Sequence, residues 1–306
     1  MSLKSFLDED DEPQGINFVD FSQIVLSTVL QLYKPGDEIK LETVREIVLN
    51  CLRFNVLKQK DKYPRIVVCV DNGQGGYWRR HKYYFYKKNR DKQKAKTEMD
   101  WETIYGHMNT VAQEFAENLP YMVLNLPHTE ADDIIGVMCR HIHETAPNTP
   151  ILITSSDGDF TQAQKYKNVK QYSPTMKKMI TPKHGHWRKD LLTKVVKGDP
   201  KDTVSNIKMP VDFLYAKLDG ERQKSISAKL MVEVFEASDP KSLFTGDELK
   251  RYNENLELVD FDYIPKEISD VIIHAFDNTP VAPKRKLYPY FVKNRLVKMI
   301  EVLNDF

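Results

Sequence analysis

The 306-residue chain has three cysteines, no long apolar run and none of the common nucleotide or hydrolase signatures, and each absence narrows what it can be. Cys51, Cys69 and Cys139 show no paired spacing, which argues for buried reduced thiols over a disulfide framework or a cysteine zinc site. No stretch approaches the roughly 20 apolar residues of a membrane helix. The opening MSLKSFLDEDDEPQG lacks the basic-then-apolar order of a secretion signal, so a cytoplasmic protein without membrane contact is expected. There is no GxxxxGK[ST] loop, GxSxG elbow or HExxH pair, and His81, His107, His128, His141 and His143 show no ligand spacing tied to cysteine. Net charge is also scarce, at +1 over the whole chain, but a net value hides how charge is distributed.

What is present first is the pattern of a parallel sheet. A short strand ending at Asp20 leads into a helix, LETVREIVLNCLRFNVLKQ has helical spacing, and RIVVCVD is a nearly continuous apolar strand ending at Asp71. Strand, helix, strand is the parallel crossover unit, whose strands are buried on both faces and read as unbroken apolar runs. A helix over about residues 101–118, the strand YMVLNL, a helix opening on EADD, the strand ILIT, a short helix FTQAQKY and an edge hairpin VKQYSPTMKKMIT continue the series. TPKHGHW, at 181–187, carries Pro and Gly and marks a domain boundary, after which the pattern is helical to the end. The expected architecture is α/β: a mainly parallel central sheet flanked by helices over residues 13–183, preceded by a loose acidic tail at 1–12 and followed by a smaller all-helical domain at 184–306.

Three of the apolar runs end in aspartate, at Asp20, at Asp71 and at Asp157 with Asp159. A lone aspartate after a strand is ordinarily a turn or cap residue, and an acid in a helix's first turn usually serves the dipole. Recurrence changes the reading, because ligands of an open parallel sheet bind beyond the carboxyl ends of its strands. The helix start EADD (130–133) and GDPKD, with Asp199 and Asp202, can add acids at the same rim. So many carboxylates raise one another's pKa unless compensated, and hard divalent cations such as magnesium or manganese take oxygen ligands. Two such ions about 4 Å apart would clamp the attacking and leaving oxygens of a phosphodiester.

Between Arg79 and Lys96 stand nine Lys or Arg against one acid, Asp91, with Tyr83, Tyr84, Phe85 and Tyr86 interleaved. Such a run is usually a solvated helix face. Cations with aromatics also offer phosphate neutralisation and base stacking, and the position just after Asp71 would hang the segment over the acids.

In their order, VDFSQ at Asp20, VDN at Asp71, YKKNR at Tyr86 to Arg90, EADD, SSDGDFTQ and KGDPKD resemble the 5′-nuclease or flap endonuclease superfamily. GGYWRR, YYFYKKNR and YFVKNRL are similar to its branch of T-even bacteriophage RNase H enzymes, and the resemblance covers nearly the whole chain. It implies a PIN-like 5′-nuclease core, unlike the ribonuclease H fold of cellular enzymes. The implied activity is metal-dependent 5′ to 3′ exonuclease and flap endonuclease cleavage of RNA·DNA and DNA duplexes, removing RNA primers from lagging-strand fragments.

By resemblance, Asp20, Asp71, Glu130, Asp132 and Asp157 belong to a first metal cluster and Asp159, Asp199 and Asp202 to a second, with two magnesium ions as cofactors and manganese able to substitute. Asp132, Lys87 and Arg90 are the implied catalytic residues, Lys87 and Arg90 as cations at the scissile phosphate. Arg79, Tyr86 and Lys88 would join them in lining a basic arch, residues 77–97, through which single-stranded 5′ ends pass. The family's GDxxDN motif and GIG turn read here GDPKDTVSNIKMPVDFL, with Thr203 in place of Asn and no GIG. Duplex gripping by residues 192–227 carries over, whereas the missing GIG leaves open whether the potassium ion often held there does. Implied partners are forked, flap and nicked DNA, a phage single-stranded DNA-binding protein at the carboxyl-terminal domain and a sliding clamp at the amino-terminal segment, for a monomeric protein. The rival readings are a phosphohydrolase of small phosphate esters, which would not need a basic arch, and a DNA-binding module without catalysis. Gly158 is expected to turn the chain so that Asp157 and Asp159 face different metals.

Overall fold

The computed structural model describes residues 14–306; the acidic tail expected at 1–12, with its clamp contact, lies outside the described residues. Among those described, six strands form one sheet: β1 (Ile16–Asp20), β2 (Arg65–Val70), β3 (Met122–Asn125), β4 (Ile151–Thr154), β5 (Val169–Ser173) and β6 (Lys178–Met179). Their order is β3-β2-β1-β4-β5-β6, parallel throughout except for the β5–β6 hairpin at the edge. Successive strands run outward from β1 to β3, and the chain then crosses to the other side of β1. The topological switch point therefore lies between β1 and β4, where an open α/β sheet forms its binding crevice.

Helices cover both faces: α1 (Phe21–Leu32), α2 (Leu41–Asn55), α3 (Trp78–Lys82), α4 (Lys88–Ala95), α5 (Trp101–Asn118) and α6 (Ala131–Thr145), then α7 (Trp187–Lys197), α8 (Phe213–Ala216), α9 (Ala228–Glu236), α10 (Gly246–Val259), α11 (Lys266–Asn278), α12 (Leu287–Lys293) and α13 (Val297–Glu301). Strand alternation sends Val19, Val68 and Val123 to a core with α1, α2 and α5, and sends Phe18, Cys69 and Ile153 to a second core with α6 and α11. All three cysteines are free and buried. No helix among the described residues is long and apolar enough to cross a membrane.

The segment after residue 184 is helical, but its helices divide among three cores. Leu287, Tyr290, Phe291, Leu296, Met299 and Phe306 complete the first, Phe261, Ile272 and Phe276 the second. A third joins α7, α9 and α10 to Tyr83, Phe85 and Tyr86 of the basic segment. The continuous helix suggested by LYPYFVKNRLVKMIE breaks into α12 and α13, because Arg295 takes the left-handed conformation (φ 56°) while Leu296 N–H donates to the Phe291 carbonyl at 2.9 Å. The carboxyl-terminal turn is further tied in by Tyr290 O–H donating to Glu114 at 2.8 Å, beside the Arg45–Glu114 ion pair at 2.7 Å. Phe291→Ala should cost about 3–5 kcal/mol of the whole chain's unfolding free energy. Guanidinium denaturation checks this: one shifted cooperative transition is expected, and a separate early phase would mean that the carboxyl-terminal helices fold as their own unit.

Candidate active site

The switch point delivers carboxylates from several elements to one place. Asp20 ends β1 and caps α1, accepting from Gln23 N–H at 3.2 Å and from Ser155 Oγ at 2.9 Å. Asp71, just past β2, accepts the Ala131 N–H at 2.8 Å, so its charge sits against the amino terminus of α6. There Glu130 and Asp133 form a reciprocal capping box, which leaves Asp132 facing the opening. Asp157, past β4, caps the 3₁₀ turn Gly158–Lys165 by accepting the Asp159 N–H at 3.0 Å. Asp20, Asp71, Glu130, Asp132, Asp157, Asp159 and Asp202 all line one cavity of about 1430 Å³, together with Lys87 and Arg90.

Asp159, Asp199 and Asp202 bring carboxylate oxygens within 4.8 Å of one another, as do Glu130, Asp132 and Asp133. The loop carrying Asp199 and Asp202 is closed by two backbone bonds of 2.9 Å between Asp199 and Val204. Gly198 makes this closure possible: its φ is 75°, and a Cβ there would stand 2.3 Å from the Val204 carbonyl oxygen. Gly158 has no such duty. Its φ is ordinary and a Cβ would meet open space, so the expected turn does not depend on glycine; the start of the 3₁₀ turn at Asp157 is what separates the two acids.

Cations reach into the basin from the basic segment and from α7. Lys87 Nζ donates to Glu130 and lies 3.8 Å from Asp202, while its backbone N–H donates to the Asp202 carbonyl at 2.9 Å. Lys87 holds a left-handed backbone (φ 57°), a strained conformation of the kind retained at functional sites. Burial disfavours its charge, but Asp202 and Glu130 outweigh that and keep the pKa above the ordinary lysine value. Arg90 pairs with Asp202. Burial pushes Asp202 up, yet Lys87, Arg90 and Lys194 together hold its carboxyl below the usual range. Lys194 bridges Asp159 and Asp199, the latter at 2.7 Å.

Asp20 and Asp132 are less well compensated: Lys87 and Arg79 pull the Asp132 carboxyl down without cancelling its burial, and among the described residues the bonds that favour the Asp20 charge come from neutral groups. Burial, with Asp71 and Asp157 adding repulsion, pushes Asp20 up to about 8 against the bonds from Gln23 and Ser155. Burial pushes Asp132 up to about 6, and its Oδ1 is buried without a hydrogen-bond partner among the described residues. A donor set made only of carboxylate oxygens, one of them orphaned, fits a hard divalent cation.

Two expected arch residues sit elsewhere. Arg79 is 1% exposed, bonded to Glu130 at 3.0 Å, to Asp133 at 2.6 Å and to the Leu258 carbonyl at 3.1 Å, so it does not line an open passage. Tyr86 is buried with Tyr83 and Phe85 in the third core, because exposing three aromatic rings would forfeit their apolar burial. Lys88, near Asp91 at 3.6 Å, stays on the surface, and Tyr84 is the exposed ring of the run. Arg80 and Lys194 were missed by sequence reasoning, which took Asp133 only as one more acid of EADD. The three-residue spacing of Glu130 and Asp133 signals a capping box, but nothing local marks Lys194 for Asp159, which lies far away in the chain.

A parallel sheet of this order, with acids at its switch point and cationic helices above them, is that of the PIN-like 5′-nucleases. Among solved structures, bacteriophage T5 5′-exonuclease with divalent zinc ions bound matches with a TM-score of 0.60 at 14% identity, over 87% of this chain and 99% of that one. A bacteriophage T5 flap endonuclease in a pseudo-enzyme-product complex with DNA and metal ions matches with a TM-score of 0.59 at 14% identity, over 85% and 97%. In sequence, residues 31–190 match the 5′-3′ exonuclease N-terminal resolvase-like domain and residues 185–306 match the T4 RNase H C-terminal family. Ribonuclease H of Enterobacteria phage T4 is 42% identical over 308 residues, covering 100% of each chain. The chain thus belongs to the 5′-3′ exonuclease family, in the branch of phage T4 ribonuclease H, and is a nuclease, a hydrolase of phosphodiester bonds.

The raised carboxyls of Asp20 and Asp132 have a consequence for stability. Unfolded, both would lose their protons near 3.8; folded, they hold them to about 8 and about 6. The folded chain therefore binds more protons in between, and its stability falls as pH rises through that window. In EDTA, the melting temperature should drop from pH 5 to pH 8, and added magnesium should raise it more at pH 8 than at pH 5. Thermal melts at fixed ionic strength check this; an EDTA profile that is flat or rising up to pH 8 would contradict it.

Proposed function

We propose that the chain is a metal-dependent 5′ to 3′ exonuclease and flap endonuclease that cleaves RNA·DNA and DNA duplexes and removes RNA primers from lagging-strand fragments. The observation that carries this reading is one cavity in which seven acids from β1, β2, β4, α6 and the 199–204 loop meet Lys87 and Arg90. A small phosphate ester would need no such basic segment above the acids. The T4 relative is called a ribonuclease H and one T5 neighbour a flap endonuclease with DNA and metal ions, which supports the substrate classes.

In this reading Asp20, Asp71, Glu130, Asp132 and Asp157 hold one magnesium ion and Asp159, Asp199 and Asp202 a second, with manganese able to replace it. Bound divalent ions supply positive charge that lowers the pKa of water and offsets charge on a phosphate. The chain's own cations do the rest. Lys87 and Arg90 exchange their carboxylate partners for phosphate oxygens, which positions the scissile bond and stabilises its developing charge. Lys88 and the exposed face of α4 attract the backbone of a single strand. A phage single-stranded DNA-binding protein and a sliding clamp are the partners this function calls for.

Asp132→Asn tests the reading. Because burial already favours the uncharged form of this side chain, the amide should fold as well as the acid. The variant should bind forked DNA as the native protein does and lose magnesium-dependent cleavage by on the order of a hundredfold or more. A gel assay on a 5′-labelled flap and an RNA·DNA hybrid, with and without magnesium, reads both, and full activity would overturn the assignment.

A further inference from the structure

One short helix separates the acid cavity from a second cleft. Tyr77, just before α3, and Arg80 line the acid cavity, and Arg79 is buried within the wall. Trp78, His81 and Lys82 of the same helix line the second cleft, which Glu257, Tyr263 and Pro265 complete. Its volume is about 580 Å³, and it lies open to solvent.

The walls are aromatic, and the Trp78 wall is prearranged. Trp78 Nε1 donates to Asp133 at 3.0 Å, and the Arg79 guanidinium carbon lies 4.4 Å from the centre of the Trp78 ring, so the indole is held in place. Tyr263 is 44% exposed, a large ring left on the surface at the edge of the cleft. Lys82 pairs with Glu257 at 2.5 Å beside the cleft. Aromatic faces suit a stacked base, and Lys82, exchanging Glu257 for a phosphate oxygen, suits its backbone. An α-helix is roughly 10 Å across, about three nucleotides of a stacked strand at 3.4 Å each. A strand whose phosphates pass Arg80 and Lys87 can thus place a base on the far side of α3.

We propose that the cleft bounded by Trp78, His81 and Tyr263 binds an unpaired nucleobase of the substrate's single-stranded arm. This rests on the nuclease reading above and adds to it a base-stacking site outside the acid cavity. Arg79 connects the two, since the guanidinium that supports the Trp78 ring also pairs with Glu130 and Asp133 at the head of α6.

The test is fluorescence-anisotropy titration, in EDTA, of a labelled fork carrying one single-stranded arm, and of the same fork with an abasic site stepped along that arm. For the native protein, one abasic position should weaken binding by about five- to tenfold. Tyr263→Ser should weaken the intact fork by the same factor and abolish the response to that abasic position. His81→Ala should act in the same direction, and unchanged circular-dichroism melts would establish that both variants fold. If Tyr263→Ser binds the intact fork like the native protein, or keeps the abasic response, the proposal is overturned, and an aromatic peptide that binds the cleft without affecting forks would overturn it in favour of protein docking. A native protein that neither binds nor cuts forks would instead sink the nuclease reading itself.

Discussion

Glu130 receives Lys87 on one carboxylate oxygen and Arg79 on the other, and this buried exchange of charge ties three parts of the chain together. Glu130 heads α6, Arg79 belongs to α3, and Lys87 is anchored through its backbone to the loop of Asp202. Buried charges are costly unless paired, and breaking such a pair from one side strands the other charge. The basic segment is therefore more than a solvated appendage. It is pinned at one end by charge to the acids and, through Tyr83, Phe85 and Tyr86, by apolar contact to α7 and α10.

The compensation is uneven, and the unevenness is informative. Around Asp202 and Asp159 the protein supplies its own cations, Lys87, Arg90 and Lys194. Around Asp20 and Asp132 it supplies none that suffices, and those carboxyls retain protons where ordinary aspartates do not. A site built this way has one half charge-balanced by side chains and another half that only an external cation or protons can balance.

The sheet was legible from the pattern along the chain because strands buried on both faces leave unbroken apolar runs, and RIVVCVD and ILIT fall where β2 and β4 lie. The acids were legible because strand ends in a parallel sheet share a rim, and seven of the eight acids expected there line one cavity. The burial of Arg79 and Tyr86 was hidden for one physical reason: a cationic and aromatic run looks solvent-facing until what it packs against, Asp133 of α6 for Arg79 and the core shared with α7 and α10 for Tyr86, is known. Such partners lie dozens of residues away, and local pattern carries no information about them. The division of residues 184–306 among three cores was hidden likewise, since an amphipathic helix declares that it packs but not against what.

The central claim is that the metal-free basin keeps protons on its uncompensated acids. Titration calorimetry with magnesium at pH 7, repeated in buffers of different ionisation enthalpy, tests it most directly. With Asp20 protonated up to about 8, binding should release roughly one proton to the buffer. Magnesium binding whose heat is independent of the buffer, with no proton released, would contradict it.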